Sequence, residues 1–165
     1  MPRIVLIGMP GAGKSTVGRR LALFLGTRFI DTDRLLQERW GVPVRVILER
    51  EGREGFLLRE EEAVLAMDPP ENAVISTGGS VVYSAAAMER LRSLGAVIYL
   101  RTDAASLARR TGDLRRRGVV AEEGTTLADL LAERAPLYER YADFSVDASR
   151  DGPDRLVERI LRILP

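Results

Sequence analysis

The sequence predicts an α/β protein, with five short parallel strands in one sheet and helices on both faces. Three observations predict it. Apolar runs alternate with segments of helical period from one end to the other. The first and third runs each lead into a glycine turn, Gly8 to Gly13 and Thr77-Gly78-Gly79-Ser80. No repeat and no long linker interrupts the 165 residues, so residues 1–165 read as a single domain.

The elements follow in order. Arg3–Ile7 is an apolar run that stops at Gly8, a buried strand. From Lys14 to Leu25, Val17, Leu21 and Leu25 recur at helical spacing. Arg28–Ile30 is a short second strand ending at Asp31. Asp33–Trp40 and Pro43–Met67 are helical, with breaks at Gly41 and Gly52 and a stop at Asp68-Pro69-Pro70. Ala73–Ser76 is the third strand, Ala85–Leu94 a helix, and Ala96–Leu100 the fourth strand. Asp103–Thr111 is helical, and Gly112–Gly124 is a polar loop with glycine at both ends. Leu127–Tyr141 is a helix, Phe144–Val146 the fifth strand, and a final helix carries Leu156, Val157, Ile160, Leu161 and Leu164 on one face. In open parallel sheets ligands bind beyond the carboxyl ends of the strands, so both glycine turns are expected on one rim.

Composition removes several function classes. The formal net charge is +1, which gives no electrostatic case for nucleic acid or a membrane surface. Cysteine and histidine are absent, which excludes disulfides, the usual zinc sites and a histidine acid or base. No apolar run is long enough to cross a bilayer, and no secretory leader precedes the first strand, so a cytoplasmic protein is expected. Of the 25 basic residues, Lys14 alone is lysine. A compact ammonium on a flexible stem is not interchangeable with a guanidinium, so this one lysine marks a site where arginine fails.

Gly8-Met9-Pro10-Gly11-Ala12-Gly13-Lys14-Ser15 fits G-x-x-x-x-G-K-[ST] and lies between a strand and a helix, the context that motif requires. Its amides and the positive helix N-terminus face phosphate, Lys14 reaches the β- and γ-phosphates, and Ser15 offers a hydroxyl to Mg²⁺. Gly11, Ala12, Gly13, Lys14, Ser15 and Thr16 are thus the expected ATP-binding residues. A glycine turn with a chance lysine is the competing reading, and pattern plus context speak against it. A guanine-reading Asn-Lys-x-Asp motif is impossible, because the sole asparagine is Asn72 and the sole lysine is Lys14. Only the second strand delivers carboxylates to the rim, through Asp31 and Asp33, the pattern of a small-molecule kinase. At i and i+2 in an extended segment the two project to one face. One would hold Mg²⁺ through its water shell, and the other would orient an acceptor hydroxyl and take its proton. The competing role for Asp33 is a helix cap.

Gly8–Arg19 with its phosphate loop, Phe29-Ile30-Asp31-Thr32-Asp33, Ser76-Thr77-Gly78-Gly79, Arg110-Thr111-Gly112 and Arg134-Ala135-Pro136-Leu137-Tyr138 occur in that order. Over nearly its whole length the chain resembles the shikimate kinase family. The resemblance implies strand order 2-3-1-4-5, an acceptor-binding region over about residues 32–62 and a lid over about residues 112–124. It implies Asp31 near Mg²⁺, Asp33 on the acceptor hydroxyls, and Gly78 and Gly79 offering backbone to the acceptor. Arg110 would lie against adenine, Arg117 would be the lid arginine on the phosphates, and Arg134 would bind the acceptor carboxylate. Lys14, Asp33 and Arg117 are the catalytic expectations, and a monomer acting on a small molecule is the expected assembly.

Two departures bear on the acceptor, and a third falls in the expected lid. In Gly52-Arg53-Glu54-Gly55-Phe56-Leu57-Leu58-Arg59-Glu60, Leu57 stands where the family pattern has a carboxylate-binding arginine. Arg53 lies one helical turn earlier and Arg59 two positions later, off the face. Ser80 replaces the third glycine of the family's Gly-Gly-Gly turn, and Arg117-Gly118 replaces Arg-Pro. Shikimate is the leading acceptor, another hydroxy acid or polyol such as homoserine or gluconate is the second, and a nucleotide-binding regulator without turnover is the third. Glu60 is expected to orient an arginine in the pocket, within an otherwise solvated Glu60-Glu61-Glu62 face. Arg134 alternatively pairs with Glu133 or Glu139, and the Arg115-Arg116-Arg117 run is alternatively a solvated charge cluster.

Overall fold

The structure is a computed structural model that describes residues 3–111 and 119–165. Five strands form one parallel sheet: β1 (Arg3–Ile7), β2 (Arg28–Asp31), β3 (Ala73–Ser76), β4 (Gly95–Arg101) and β5 (Phe144–Asp147). Their order is β2-β3-β1-β4-β5, as the resemblance implied. The helices are α1 (Lys14–Leu25), α2 (Thr32–Trp40), α3 (Val44–Leu65), α4 (Ala85–Leu94), α5 (Ala104–Thr111), α6 (Leu127–Tyr141) and α7 (Pro153–Ile163).

Period-two alternation along buried strands divides the core into two layers. Val5 and Ile7 of β1 join Ile75, Val97 and Tyr99 against α4 and α6. Ile4 and Leu6 face the other way, with Val74, Ile98 and Leu100 against α1 and α7. A third, smaller cluster unites α2 and α3 through Leu36, Val44, Ile47 and Phe56.

Register sets the rim. Asp31 of β2 and Leu6 of β1 both pair with Ser76 of β3, so three strand ends stand abreast beneath the two glycine turns. Thr77 ties the turns together, donating from Oγ1 to the Leu6 carbonyl at 2.9 Å. The expected break at Gly52 is present: α3 runs on both sides of a residue at φ 70, ψ −176, a conformation open to glycine. A short 3₁₀ turn at Val81–Tyr83, which periodicity did not foretell, carries the chain from the second glycine turn into α4. Of the expected lid, residues 112–118 lie outside the described residues.

Candidate active site

A cavity of about 280 Å³ opens at the rim. Pro10, Gly11, Gly13, Lys14, Ser15 and Thr16 line one side, and Asp33, Gly78, Gly79, Ser80 and Arg134 the other. The sites expected for donor and acceptor therefore share one space. Ala12, also expected at the nucleotide, is fully buried beneath the loop. Arg110, at the end of α5, donates from Nη2 to the carbonyls of Ala148 and Ser149 at 2.9 and 3.2 Å. Arg117 lies outside the described residues.

Strand β1 feeds the phosphate loop directly, and α1 begins at Lys14 with no side chain capping its first turn. Its leading N–H groups are left for an anion. Lys14 is 7% exposed and donates to the carbonyls of Gly8 at 2.7 Å and Met9 at 2.8 Å. Burial pulls its ammonium down to about 8, against the opposing pull of Asp33, Asp31 and Glu60. A buried cation with carboxylates nearby and carbonyls for company is poised to exchange these weak partners for phosphate oxygens.

The two aspartates divide otherwise than a pair on one extended face. Asp31, still extended at φ −114, ψ 117, is itself the cap of α2 and accepts from the Asp33 amide at 3.0 Å. The cap role weighed for Asp33 thus falls to Asp31, because β2 runs one residue longer than its apolar pattern. Asp33 sits in the first helical turn, which frees its carboxylate for the cavity. Asp31 also accepts from Ser15 Oγ at 3.0 Å, and Ser76 Oγ stands 3.4 Å from the same hydroxyl. Burial first, and the Asp31 charge second, push Asp33 up to about 6.

Glu60 corrects its expectation. It is 4% exposed, inside the site as expected, but the partner of its Oε1 is Ser80 Oγ, which donates at 2.7 Å, not an arginine. Its Oε2 is buried with no hydrogen-bond partner among the described residues. Gly78 separates this atom from Asp33: a Cβ there would stand 2.5 Å from Glu60 Oε2 and 2.7 Å from Asp33 Oδ1. Any larger residue at 78 would collide with both carboxylates. Burial and the Asp33 charge push Glu60 up to about 8, while the Ser80 bond works in the other direction. The hydroxyl at 80 thus belongs to Glu60.

Arg134 is fully buried, so its pairing with Glu133 or Glu139 on the helix surface is also corrected. Its Nε donates to Tyr83 Oη at 3.2 Å and its Nη2 to the Val120 carbonyl. Tyr138, one turn on, donates its hydroxyl to the Gly79 carbonyl and stacks on Tyr99 at 5.0 Å. It packs in the core and also fixes the second glycine turn. Arg59 points away from the acceptor side, over the Trp40 ring at 4.8 Å and paired with Glu62 at 3.0 Å. It does not replace an arginine at 57. Leu57 itself packs against the α2–α3 cluster. The sequence reasoning missed Val44, Phe56, Val119 and Val120 as cavity walls, and Tyr83 beneath Arg134.

Comparison with known proteins decides the kinship of this site. The shikimate kinase family model matches residues 10–165. The chain belongs to the shikimate kinase family. It is 42% identical over 166 residues to shikimate kinase of Mycobacterium avium (strain 104), covering 99% of this chain and 94% of that one. With shikimate kinase of Nitrosospira multiformis it shares 39% identity, over 98% of this chain and 84% of the other. Among solved structures, shikimate kinase from Acinetobacter baumannii in complex with shikimate superposes with a TM-score of 0.91 at 34% identity, over 99% of this chain and 92% of that one. The Aquifex aeolicus shikimate kinase gives a TM-score of 0.83 at 31% identity, with 97% and 94% covered. Membership makes the protein an ATP-dependent small-molecule kinase. No described helix is long and apolar enough to cross a membrane.

Proposed function

We propose that this kinase transfers the γ-phosphoryl group of ATP to a hydroxyl of shikimate, giving shikimate 3-phosphate. The observation that carries the proposal is the meeting of Lys14 and Asp33 in one cavity, phosphate loop on one side and a carboxylate base on the other. The acceptor oxygen attacks the γ-phosphorus as the bond to the bridging oxygen of ADP breaks, and the hydroxyl proton passes to Asp33. Lys14, the loop amides of Gly11 to Thr16 and Arg117 stabilise the charge that spreads over the transferring group. Gly78 and Gly79 bring backbone close to the acceptor, Arg134 receives its carboxylate, and Arg110 flanks the adenine. Residues 32–62 form the acceptor region and residues 112–124 the lid.

Magnesium fits the oxygens present. Ser15 Oγ and Asp31 Oδ2 lie 3.0 Å apart, a hydroxyl and a carboxylate of the hard kind that Mg²⁺ takes alongside water and phosphate. Ser15 and Asp31 would hold the ion, which would neutralise charge on the phosphates. The protein acts as a cytoplasmic monomer, without nucleic acid or membrane as partner.

Leu57 supports a second acceptor reading, since a leucine cannot form the bidentate bond that an arginine gives a carboxylate. ADP release with shikimate, homoserine and gluconate separates the readings. Turnover of shikimate with an acid limb of kcat/KM near pH 6, from Asp33, is expected. Turnover of homoserine or gluconate without shikimate overturns the acceptor. ATP binding with no turnover of any of them overturns the kinase reading for this chain.

A further inference from the structure

With leucine at 57, Arg134 is the one arginine among the described residues that lines the acceptor cavity. It is already partly engaged, by Tyr83 through Nε and by Val120 through Nη2. Its Nη1 is left on the acceptor side, 3.1 Å from where a Cβ on Gly79 would stand. The Arg134 guanidinium lies 5.1 Å from the centre of the Tyr83 ring. A second guanidinium, that of Arg53, lies 5.2 Å from the same centre.

Arg53 opens the second half of α3, directly after the Gly52 break and one turn before Leu57. It lines a small cavity of about 120 Å³ with Tyr83, Glu122 and Glu133, and this cavity shares Val120 with the acceptor cavity. Among the described residues no ion pair within 4.0 Å holds Arg53, so its charge is not cancelled at contact distance. The two guanidinium carbons are at most about 10 Å apart, about one Debye length at 0.1 M salt, so the direct pull of Arg53 on an anion beside Arg134 is weak and salt-sensitive, and the shared ring is the main link between them. An aromatic ring attracts both cations, which otherwise repel, and so holds two positive charges at the acceptor end.

We propose that Arg53 is a specificity-determining positioning residue for the acceptor carboxylate. Through Tyr83 it holds Arg134 in place, and it adds from outside the cavity a weak second positive field where Leu57 supplies none. This rests on the reading of a carboxylate acceptor at Arg134. Arg53, Tyr83 and Leu57 then form one coupled set: the charge has moved one helical turn and an aromatic spacer accompanies it.

The test compares shikimate with its carboxamide, at saturating ATP, in wild type, Arg53→Gln, Arg53→Lys, Leu57→Arg and the double variant Leu57→Arg/Arg53→Gln. Arg53→Gln is expected to raise KM for shikimate about two- to five-fold, the range of an exposed cation–ring contact, with kcat and the KM for ATP unchanged. KM for the carboxamide should hardly move. Arg53→Lys should keep most of the affinity, and an arginine at 57 should restore it in the Arg53→Gln background. Against the Leu57→Arg single variant, Arg53→Gln should cost less than it does in wild type, and an equal cost in both backgrounds overturns the inference. An unchanged shikimate KM, or equal losses on both acceptors, overturns the inference and leaves the kinase reading standing. If wild type instead phosphorylates homoserine or gluconate, the comparison is run on that acceptor and its carboxamide with the same criteria. Absence of wild-type turnover on every acceptor overturns the kinase reading and this inference together.

Discussion

Lys14 shows how much one side chain decides. It is nearly enclosed and fits between two carbonyls 2.7 and 2.8 Å away. A planar guanidinium is larger and presents its donors in a fixed fork, so it cannot take the same place. Lys14→Arg is expected to cut kcat about 10²-fold or more while the melting temperature stays near wild type, because lost phosphate contacts and not lost packing are responsible. Near-normal turnover would refute the role. Glu60 makes a different prediction. Its carboxyl titrates near 8 in the folded chain against an ordinary 4.5, so between those values the native state binds the extra proton. Stability from this group is therefore full below about pH 4.5 and falls as pH rises to about 8. Glu60→Gln keeps an acceptor for Ser80 and removes the titration. Melting curves should show the variant gaining on wild type from pH 5 to pH 9, by a few kcal/mol at the alkaline end; a difference that does not vary with pH would contradict the buried charge. Leu57→Arg should lower KM for shikimate by about ten-fold, since a long stem can lie along the α2–α3 cluster while its head reaches the carboxylate. An unaltered KM would mean that position 57 does not face the acceptor.

At the level of elements, the breaks matter more than the helices. α2 starts because Asp31 caps it, and that same bond turns Asp33 into the cavity. α3 is interrupted at Gly52, and its second half delivers Arg53 to Tyr83, Phe56 to the cavity wall and Glu60 to Ser80. A Cβ at Gly52 would meet nothing within 4 Å, so the cost of a side chain there is torsional and not steric crowding. Gly52→Ala should lose about 1–3 kcal/mol, read as a lower melting temperature, and should weaken the acceptor more than ATP. If stability is unaffected, the helix can restart without the glycine conformation. The 3₁₀ turn at Val81–Tyr83 is equally consequential, because it sets Tyr83 under Arg134.

The whole molecule combines a deeply buried sheet with a less deeply packed α2–α3 pair, the region proposed to receive the acceptor. Val5, Leu6, Ile7, Val74, Ile75, Val97 and Ile98 are completely buried in the central strands. The α2–α3 pair rests on a cluster of six buried residues, one of them Val120 from the far side of the cavity. Regions with fewer buried contacts open at lower free energy. Hydrogen exchange should therefore proceed in α2 and α3 well before β1, β3 and β4, and the acceptor should slow it in α2 and α3. Uniform protection across sheet and helices would show that the two behave as one unit. Such a division suits a kinase, whose donor site must be rigid and whose acceptor site must admit and release a small molecule.

By itself, the sequence determined the alternation of strands and helices, the phosphate loop and the paired aspartates, because each is a local pattern with a local physical cause. Strand period, glycine turns and the unique lysine act over a few residues, so they are legible in order along the chain. Membership of the shikimate kinase family followed from the ordered set of such patterns. Only the tertiary structure decided which partner each polar side chain finds. Glu60 turns from a solvated stretch to Ser80, 20 residues away, and Arg134 turns from its helical neighbours to Tyr83, 51 residues away. Both are buried polar groups, and a buried polar group takes whatever partner the fold brings within reach, a matter of three-dimensional packing that no spacing rule encodes. The same holds for Leu57: the chain announces the missing cation, and the packing of Arg53 on Tyr83 shows where a second one stands.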